Sequence, residues 1–281
     1  MRNYTDMEKS EAPVLSRRLT AIKEFVTPGY VLADIGTDHA LLPVRLLMEG
    51  KIPRAICCDI GRGPLERAEE HLQLYHVDRV AETRLSDGLS ALEPGEADSV
   101  LIAGMGGELT VRILKDCDRR TSETGPGFRG TVREWILSPH TEWDVVRRYL
   151  RVSGREITRE RMLREDGKYY VVIRAVPGDG EAPYREAEKR GLDRETAECY
   201  GPLLCFEKDE ILREYLLEAM EKNRLIRERL AGADLAEGGS SAARERRSAE
   251  LEKEKERIMT ALHIMDVKSF RKGERHGERE G

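Results

Sequence analysis

Four short apolar runs, each stopping at an acid or a glycine, constrain this chain more than any other feature. Tyr30 to Ile35 runs into Gly36, Arg54 to Cys58 stops at Asp59, Val80 to Leu85 meets Ser86-Asp87-Gly88, and Ala97 to Ala103 meets Gly104-Met105-Gly106-Gly107. Runs of this length between turn residues read as buried strands, and the stretches between several of them carry helical spacing. Alternation of strand and helix builds a parallel sheet covered by helices, with right-handed crossovers.

The pattern extends in both directions. Val14 to Val26 has helical spacing and is stopped by Pro28-Gly29, and Gly63-Pro64 opens a further helix. Val132 to Leu137 is a fifth strand, followed by a helix over 142–152 with Gly154 just past its end. Arg155 to Leu163 and Lys168 to Val176 are joined by Glu165-Asp166-Gly167, a hairpin signal that makes the last strand antiparallel. Five βα units and a closing hairpin describe a Rossmann-like α/β domain over 1–176, mostly parallel with one reversed strand. A Pro/Gly-rich linker is expected over 177–184 and a helical domain over 185–266. In that domain Leu212, Leu216, Ala219, Asn223, Ile226 and Leu230 recur at 4-3 spacing, and Leu251, Lys255, Ile258, Leu262 and Met265 repeat it after Gly232 to Ser241. Two such helices pair as a coiled-coil hairpin. The charged tail over 267–281 is expected to be disordered.

Composition limits the function classes. The net charge is −5, with 36% charged and 5% aromatic residues. No global field draws such a chain to nucleic acid, so any RNA contact must come from local basic patches. The five cysteines form no C-x-x-C pair, no signal peptide precedes them, and no apolar run approaches the roughly 20 residues of a membrane span. The expectation is a cytoplasmic, monomeric protein with reduced thiols, no membrane contact and no metal site.

In an open parallel sheet, ligands bind beyond the carboxyl ends of the strands. The unusual residues lie there: Asp34, Gly36 and Thr37; Asp59 and Ile60; Asp87 and Gly88; Ala103 and Gly104. Gly36 admits a ligand close to the backbone. Asp59 stands where such folds place an acid for both ribose hydroxyls, and Asp87 where a carboxylate meets the adenine amine. A dinucleotide needs G-x-G-x-x-G bare backbone for its pyrophosphate. The loop Asp34-Ile35-Gly36-Thr37-Asp38-His39-Ala40 has one glycine and two carboxylates, which repel a pyrophosphate and favour an ammonium and a sulfonium. S-adenosylmethionine is therefore expected over NAD.

These residues carry a resemblance. The chain resembles the bacterial tRNA (adenine-22-N1)-methyltransferase family, TrmK, in Leu15-Ser16-Arg17-Arg18-Leu19, Ala33 to Ala40, Gly63-Pro64-Leu65, Ser86-Asp87-Gly88-Leu89, Ala103 to Glu108 and Glu165 to Tyr170. It covers residues 13 to 176 well and continues more loosely through Tyr200-Gly201-Pro202. The resemblance implies a class I methyltransferase domain, a C-terminal coiled coil, tRNA as substrate and adenine N1 as the target atom. It also implies that Arg17 meets the methionine carboxylate. Two departures stand out: 121–130 reads as an insertion, and Ser138-Pro139-His140 replaces Gln-Pro-Asn.

Methylation of adenine N1 needs alignment and stabilisation of a developing positive charge. Asp38 and His39 are the candidates for the charge or for the N6 proton, with Asp38 as a helix N-cap the alternative. Gly104, Met105 and Gly106 are the candidate platform for the base. Seven arginines against two glutamates between Arg147 and Arg164 make a candidate phosphate surface, represented by Arg147, Arg148, Arg151 and Arg155, with Arg227 on the helical hairpin. Rival readings are a methyltransferase acting on another RNA, a protein or a small molecule, and a non-catalytic RNA-binding scaffold.

Overall fold

The apolar runs do become strands, and the ones buried on both faces lie at the centre. In the computed structural model, which describes residues 11–120, 128–237 and 242–266, the strands are β1 (Leu32–Ile35), β2 (Ala55–Asp59), β3 (Ala81–Leu85), β4 (Ser99–Ala103), β5 (Glu134–Ser138), β6 (Arg155–Glu165) and β7 (Lys168–Pro177). They form one sheet in the order β3-β2-β1-β4-β5-β7-β6. The first five are parallel, and β7 runs antiparallel to both β5 and β6. Chain order reverses between β1 and β4, which places the switch point beside Gly36 and Gly104.

Every residue of β1 and β5 is buried, whereas only Ala81 of β3 is, because β3 is an edge strand. That accounts for its weak apolar signal. The helices of this unit that cover the sheet are α1 (Arg17–Phe25), α2 (Leu41–Met48), α3 (Arg62–Leu74), α4 (Gly107–Arg119) and α5 (Trp143–Val152). Ile22 and Phe25 of α1 pack with Leu42 and Leu46 of α2, Leu32 of β1 and Val172 of β7 in one core cluster.

The expected count of five βα units is one too many. No helix lies between β3 and β4. Ser86 organises that connection instead, its hydroxyl donating to Gly88 O (2.9 Å) and accepting from Ala91 N–H (3.1 Å). The hairpin is as expected: Glu165 pairs with Lys168 across Asp166 and Gly167, both left-handed at φ 49° and 73°, the geometry that suits strand twist.

The expected linker over 177–184 is structured. α6 (Ala182–Lys189) follows β7 almost at once, and α7 (Arg194–Tyr200) comes after it. A Cβ on Gly180 would collide with the backbone of Arg151 on α5, so this segment is packed and not loose. The chain divides into Met1–Leu204 and Cys205–Gly281, some twenty residues later than composition suggested.

After α8 (Leu204–Glu207), the second unit holds α9 (Glu210–Glu237) and α10 (Ala242–Asp266). They run antiparallel. Arg213 pairs with Asp266 at 2.5 Å, Arg227 pairs with Glu252, and Asn223 Nδ2 donates to Leu251 O at 2.8 Å. Leu212, Leu216, Leu251, Ile258 and Met265 are buried, as their spacing required. Gly232 does not end the helix, which continues to Glu237. The expected disordered tail, and residues 121–127 of the expected insertion, lie outside the described residues. No helix among the described residues is long and apolar enough to cross a membrane.

Candidate active site

The carboxyl ends of β1, β2 and β4 converge, and backbone contacts hold their loops together. Gly36 and Thr37 N–H both donate to Cys58 O, at 2.8 and 3.0 Å. Gly36 sits at φ 81°, and a Cβ there would run into the tip of Met105, so the loops after β1 and β4 touch. α2 starts behind Ala40, itself left-handed at φ 49°, with no side-chain cap. Asp38 is therefore not an N-cap and faces a cleft of about 220 Å³. Asp34, Thr37, His39, Arg18 and Ala103 line the same cleft.

Burial pushes the Asp34 carboxyl up to about 6; the Thr37 side chain opposes the rise and the Asp59 charge adds to it. Among the described residues no cation pairs with Asp34. One oxygen of Asp59 accepts the Gly61 N–H at 2.7 Å, while the Ile60 side chain beside it is 70% exposed. The Asp87 carboxylate is also largely exposed, 3.6 Å from Arg112, and Gly88 sits close to Ile113. A buried carboxylate lacking a cation, two further acids and an uncovered aliphatic side chain fit S-adenosylmethionine. An amine and a sulfonium answer the acid, and an adenosine needs the rest.

Asp38 and His39 do come together on one wall. Arg67 of α3 donates to Asp38 Oδ1 through Nε at 3.1 Å and through a second guanidinium nitrogen. Asp38 Oδ2 lies 3.4 Å from His39 Nε2. His71 Nδ1 lies 2.7 Å from His39 O, which steadies the loop.

A second cluster, joined to the cleft through Arg18, was not foreseen. Arg18 Nη1 donates to His140 Nε2 at 2.7 Å, and its guanidinium stands 5.2 Å from the Tyr170 ring centre. His140 meets Tyr170 edge-on at 5.8 Å, and the His140 backbone N–H donates to Met105 O at 2.8 Å. Partial burial, then the charges of Arg18 and Lys168, hold the His140 imidazole below its usual value. Gly104 is exposed at φ 84° beside Arg18 and His140. Gly106 and Gly107 serve a different purpose. A Cβ on Gly107 would stand 2.5 Å from Glu142 O, and Glu142 Oε2 accepts the Glu108 N–H at 3.1 Å. The glycine loop thus divides into a half exposed at Gly104 and a half packed under residues 141–142.

Several expected site residues lie elsewhere. Arg17 is exposed on the first turn of α1 and does not line the cleft; its neighbour Arg18 does. The arginine run is not a continuous phosphate surface. Arg147 and Arg155 are fully buried, paired with Glu160 (2.7 Å) and Asp118 (2.6 Å). Arg148 and Arg151 bind Glu198 of α7, at 2.9 and 2.8 Å. These cations neutralise acids that α4, β6 and α7 carry inward, which removes Arg147 and Arg155 from any role on phosphates. Arg227 is bound to Glu252 within the helical hairpin. Sequence reasoning missed Arg18, Arg67, His140 and Tyr170. The signals were Tyr169-Tyr170 after a tight turn and a histidine just past the end of β5.

A family model described as a methyltransferase domain matches residues 15–173. The tRNA (adenine(22)-N(1))-methyltransferase of Bacillus subtilis (strain 168) is 32% identical over 219 residues, 78% of this chain and 87% of that protein. The crystal structure of the B. subtilis M1A22 tRNA methyltransferase TrmK aligns with a TM-score of 0.75 at 29% identity, covering 90% of this chain and 99% of that one. A Streptococcus pneumoniae relative solved in complex with S-adenosyl-L-methionine aligns at 0.69 and 27% identity, over 89% of this chain and 100% of that one. With its switch-point acids, glycine loops and reversed last strand in place, the chain belongs to the methyltransferase-domain family and, within it, to the tRNA (adenine(22)-N(1))-methyltransferases.

Proposed function

We propose that this protein methylates N1 of an adenine in cytoplasmic tRNA, at position 22, using S-adenosylmethionine. The observation that carries the reading is the buried Asp34 carboxylate at the switch point, with no cation paired to it among the described residues, on the strand beside the one that ends at the exposed Gly104.

When bound, S-adenosylmethionine supplies an activated methyl group. The N1 lone pair of neutral adenine is already available, so no residue has to remove a proton before attack. The work of the chain is alignment of the reacting atoms to about 3–3.5 Å. Asp34 answers the positive end of the cofactor. The oxygen of Asp59 that Gly61 leaves open accepts from the ribose, Ile60 covers the adenosine face, and Asp87 reaches its amine. The role first given to Arg17 passes to Arg18, whose guanidinium faces the cleft and suits a carboxylate. Asp38, steadied by Arg67, stabilises the charge that develops on the target ring, with His39 beside it. Gly104 and Met105 give the base its close approach.

The test is to incubate the protein with methyl-labelled S-adenosylmethionine and total tRNA and to map the labelled nucleotide. Label at N1 of a single adenine supports the reading. Label on protein, on another base or nowhere defeats it.

A further inference from the structure

Four segments distant in sequence meet at the exposed side of Gly104: the first turn of α1, the loop after β4, the loop after β5 and the β6–β7 hairpin. They bring an exposed imidazole, a phenol ring and two cations to one place. Arg18 can only donate, so His140 Nε2, 2.7 Å away, must be the acceptor. The neutral ring then carries its proton on Nδ1, and among the described residues that N–H has no partner. Tyr170 supplies the aromatic surface behind it, its ring centre 5.8 Å from that of His140. Lys168, two residues earlier on β7, is exposed and close enough to depress the imidazole. The Arg18 backbone N–H is tied to Glu165 Oε1 at 3.3 Å, which locks α1 to the hairpin. Rings with a nearby cation are what a single nucleotide taken out of its stack requires: faces for the base, charge for its phosphate.

We propose that His140 and Tyr170 form the ledge that receives the extruded adenine, with His140 Nδ1–H donating to the base and Lys168 contacting its phosphate. The donor meets a ring nitrogen other than the attacking N1, which leaves that lone pair available. Arg18 is a positioning residue: it sets the tautomer from the cofactor side, so that a filled cofactor site and a correctly aimed ledge depend on one guanidinium. The inference rests on the tRNA reading above.

The experiment compares two tRNA transcripts, one intact and one abasic at the mapped target, binding to the protein in the presence of S-adenosylhomocysteine. The native protein should prefer the intact transcript by about tenfold, the scale of one stacked base. His140→Ala and Tyr170→Ala should erase that preference, and Tyr170→Phe should keep it. Lys168→Ala should weaken both transcripts alike and lower the slope of log affinity against log salt by about 0.9. Unchanged S-adenosylhomocysteine affinity in each variant shows that the fold is intact; should Tyr170→Ala lose it, His140→Ala decides alone. Preference for the intact base persisting in His140→Ala overturns the ledge. Failure of the native protein to methylate tRNA would instead overturn the function proposed above, so the two outcomes separate.

Discussion

Arg147 Nε donates to Glu160 Oε1 at 2.7 Å, and neither side chain has more than 1% of its surface exposed. The pair is a junction. Arg147 Nη1 also donates to the carbonyls of Glu198 and Cys199, at 3.2 and 2.9 Å, and Glu160 Oε2 accepts the Leu203 N–H at 3.1 Å. It fastens α5 and β6 to α7. Removing one partner strands the other charge away from water. Arg147→Met should therefore cost about 3–5 kcal/mol, read as a fall in Tm, whereas Arg148→Met, more than half exposed, should cost under about 1 kcal/mol. Equal losses would mean the buried pair is not the junction.

Asp34 titrates at about 6 in the fold against 3.8 in a reference chain. Between those values the folded chain keeps a proton that the unfolded chain has lost. The contribution of Asp34 to the stability of the ligand-free protein thus falls as pH rises through the window, by about 3 kcal/mol. A cationic ligand prefers the carboxylate, so S-adenosylmethionine affinity should rise over the same window and level off by about pH 7. Calorimetry across it, with Asp34→Asn alongside, checks both signs. The variant should lose the pH dependence and bind at least about tenfold more weakly.

Asp38→Ala should lower kcat on the order of 100-fold while leaving cofactor affinity within a few-fold, if the carboxylate acts on the developing charge. Arg67→Ala should give a smaller loss in the same direction, because it only steadies Asp38. A parallel drop in cofactor affinity would make Asp38 a binding residue.

Gly107→Ala puts a methyl group 2.5 Å from Glu142 O and 2.8 Å from Thr141 O, backbone atoms that cannot swing aside. The loop carrying His140 must shift, so turnover on tRNA should fall together with about 1–3 kcal/mol of stability. Gly95→Ala, at φ 87° with nothing within 4 Å, is the comparison. It should cost about 1–2 kcal/mol of backbone strain and leave kcat unchanged.

The strands, the reversed last strand and the acids at the strand ends were legible because they follow from local pattern: apolar runs, a two-residue turn, a glycine where the chain must bend backwards. Asp34 and Asp38 could be placed because one lies a residue from the end of β1 and the other in the loop just after it. Arg18 could not be chosen over Arg17, since adjacent helical residues differ by about 100° in direction and only packing settles which faces the cleft. His140 and Tyr170 come from segments that meet only when β7 inserts beside β5. The arginine run misled for a related reason. Counting charge over 147–164 cannot see that Asp118, Glu181 and Glu198, far away in sequence, arrive to absorb it.

The placement of β7 also sets an order on how the chain can be completed. β6 pairs only with β7, and of the two hairpin strands only β7 pairs with β5. While the protein emerges from the ribosome, β6 has no strand to join until residue 177 is out, so the outer edge of β5 stays bare through the synthesis of 39 further residues. The two-residue turn shortens that wait, because β7 can zip onto β6 first and dock as a ready-made ribbon. A chain halted before Lys168 would hold every cofactor acid and still lack both the ledge and a closed sheet.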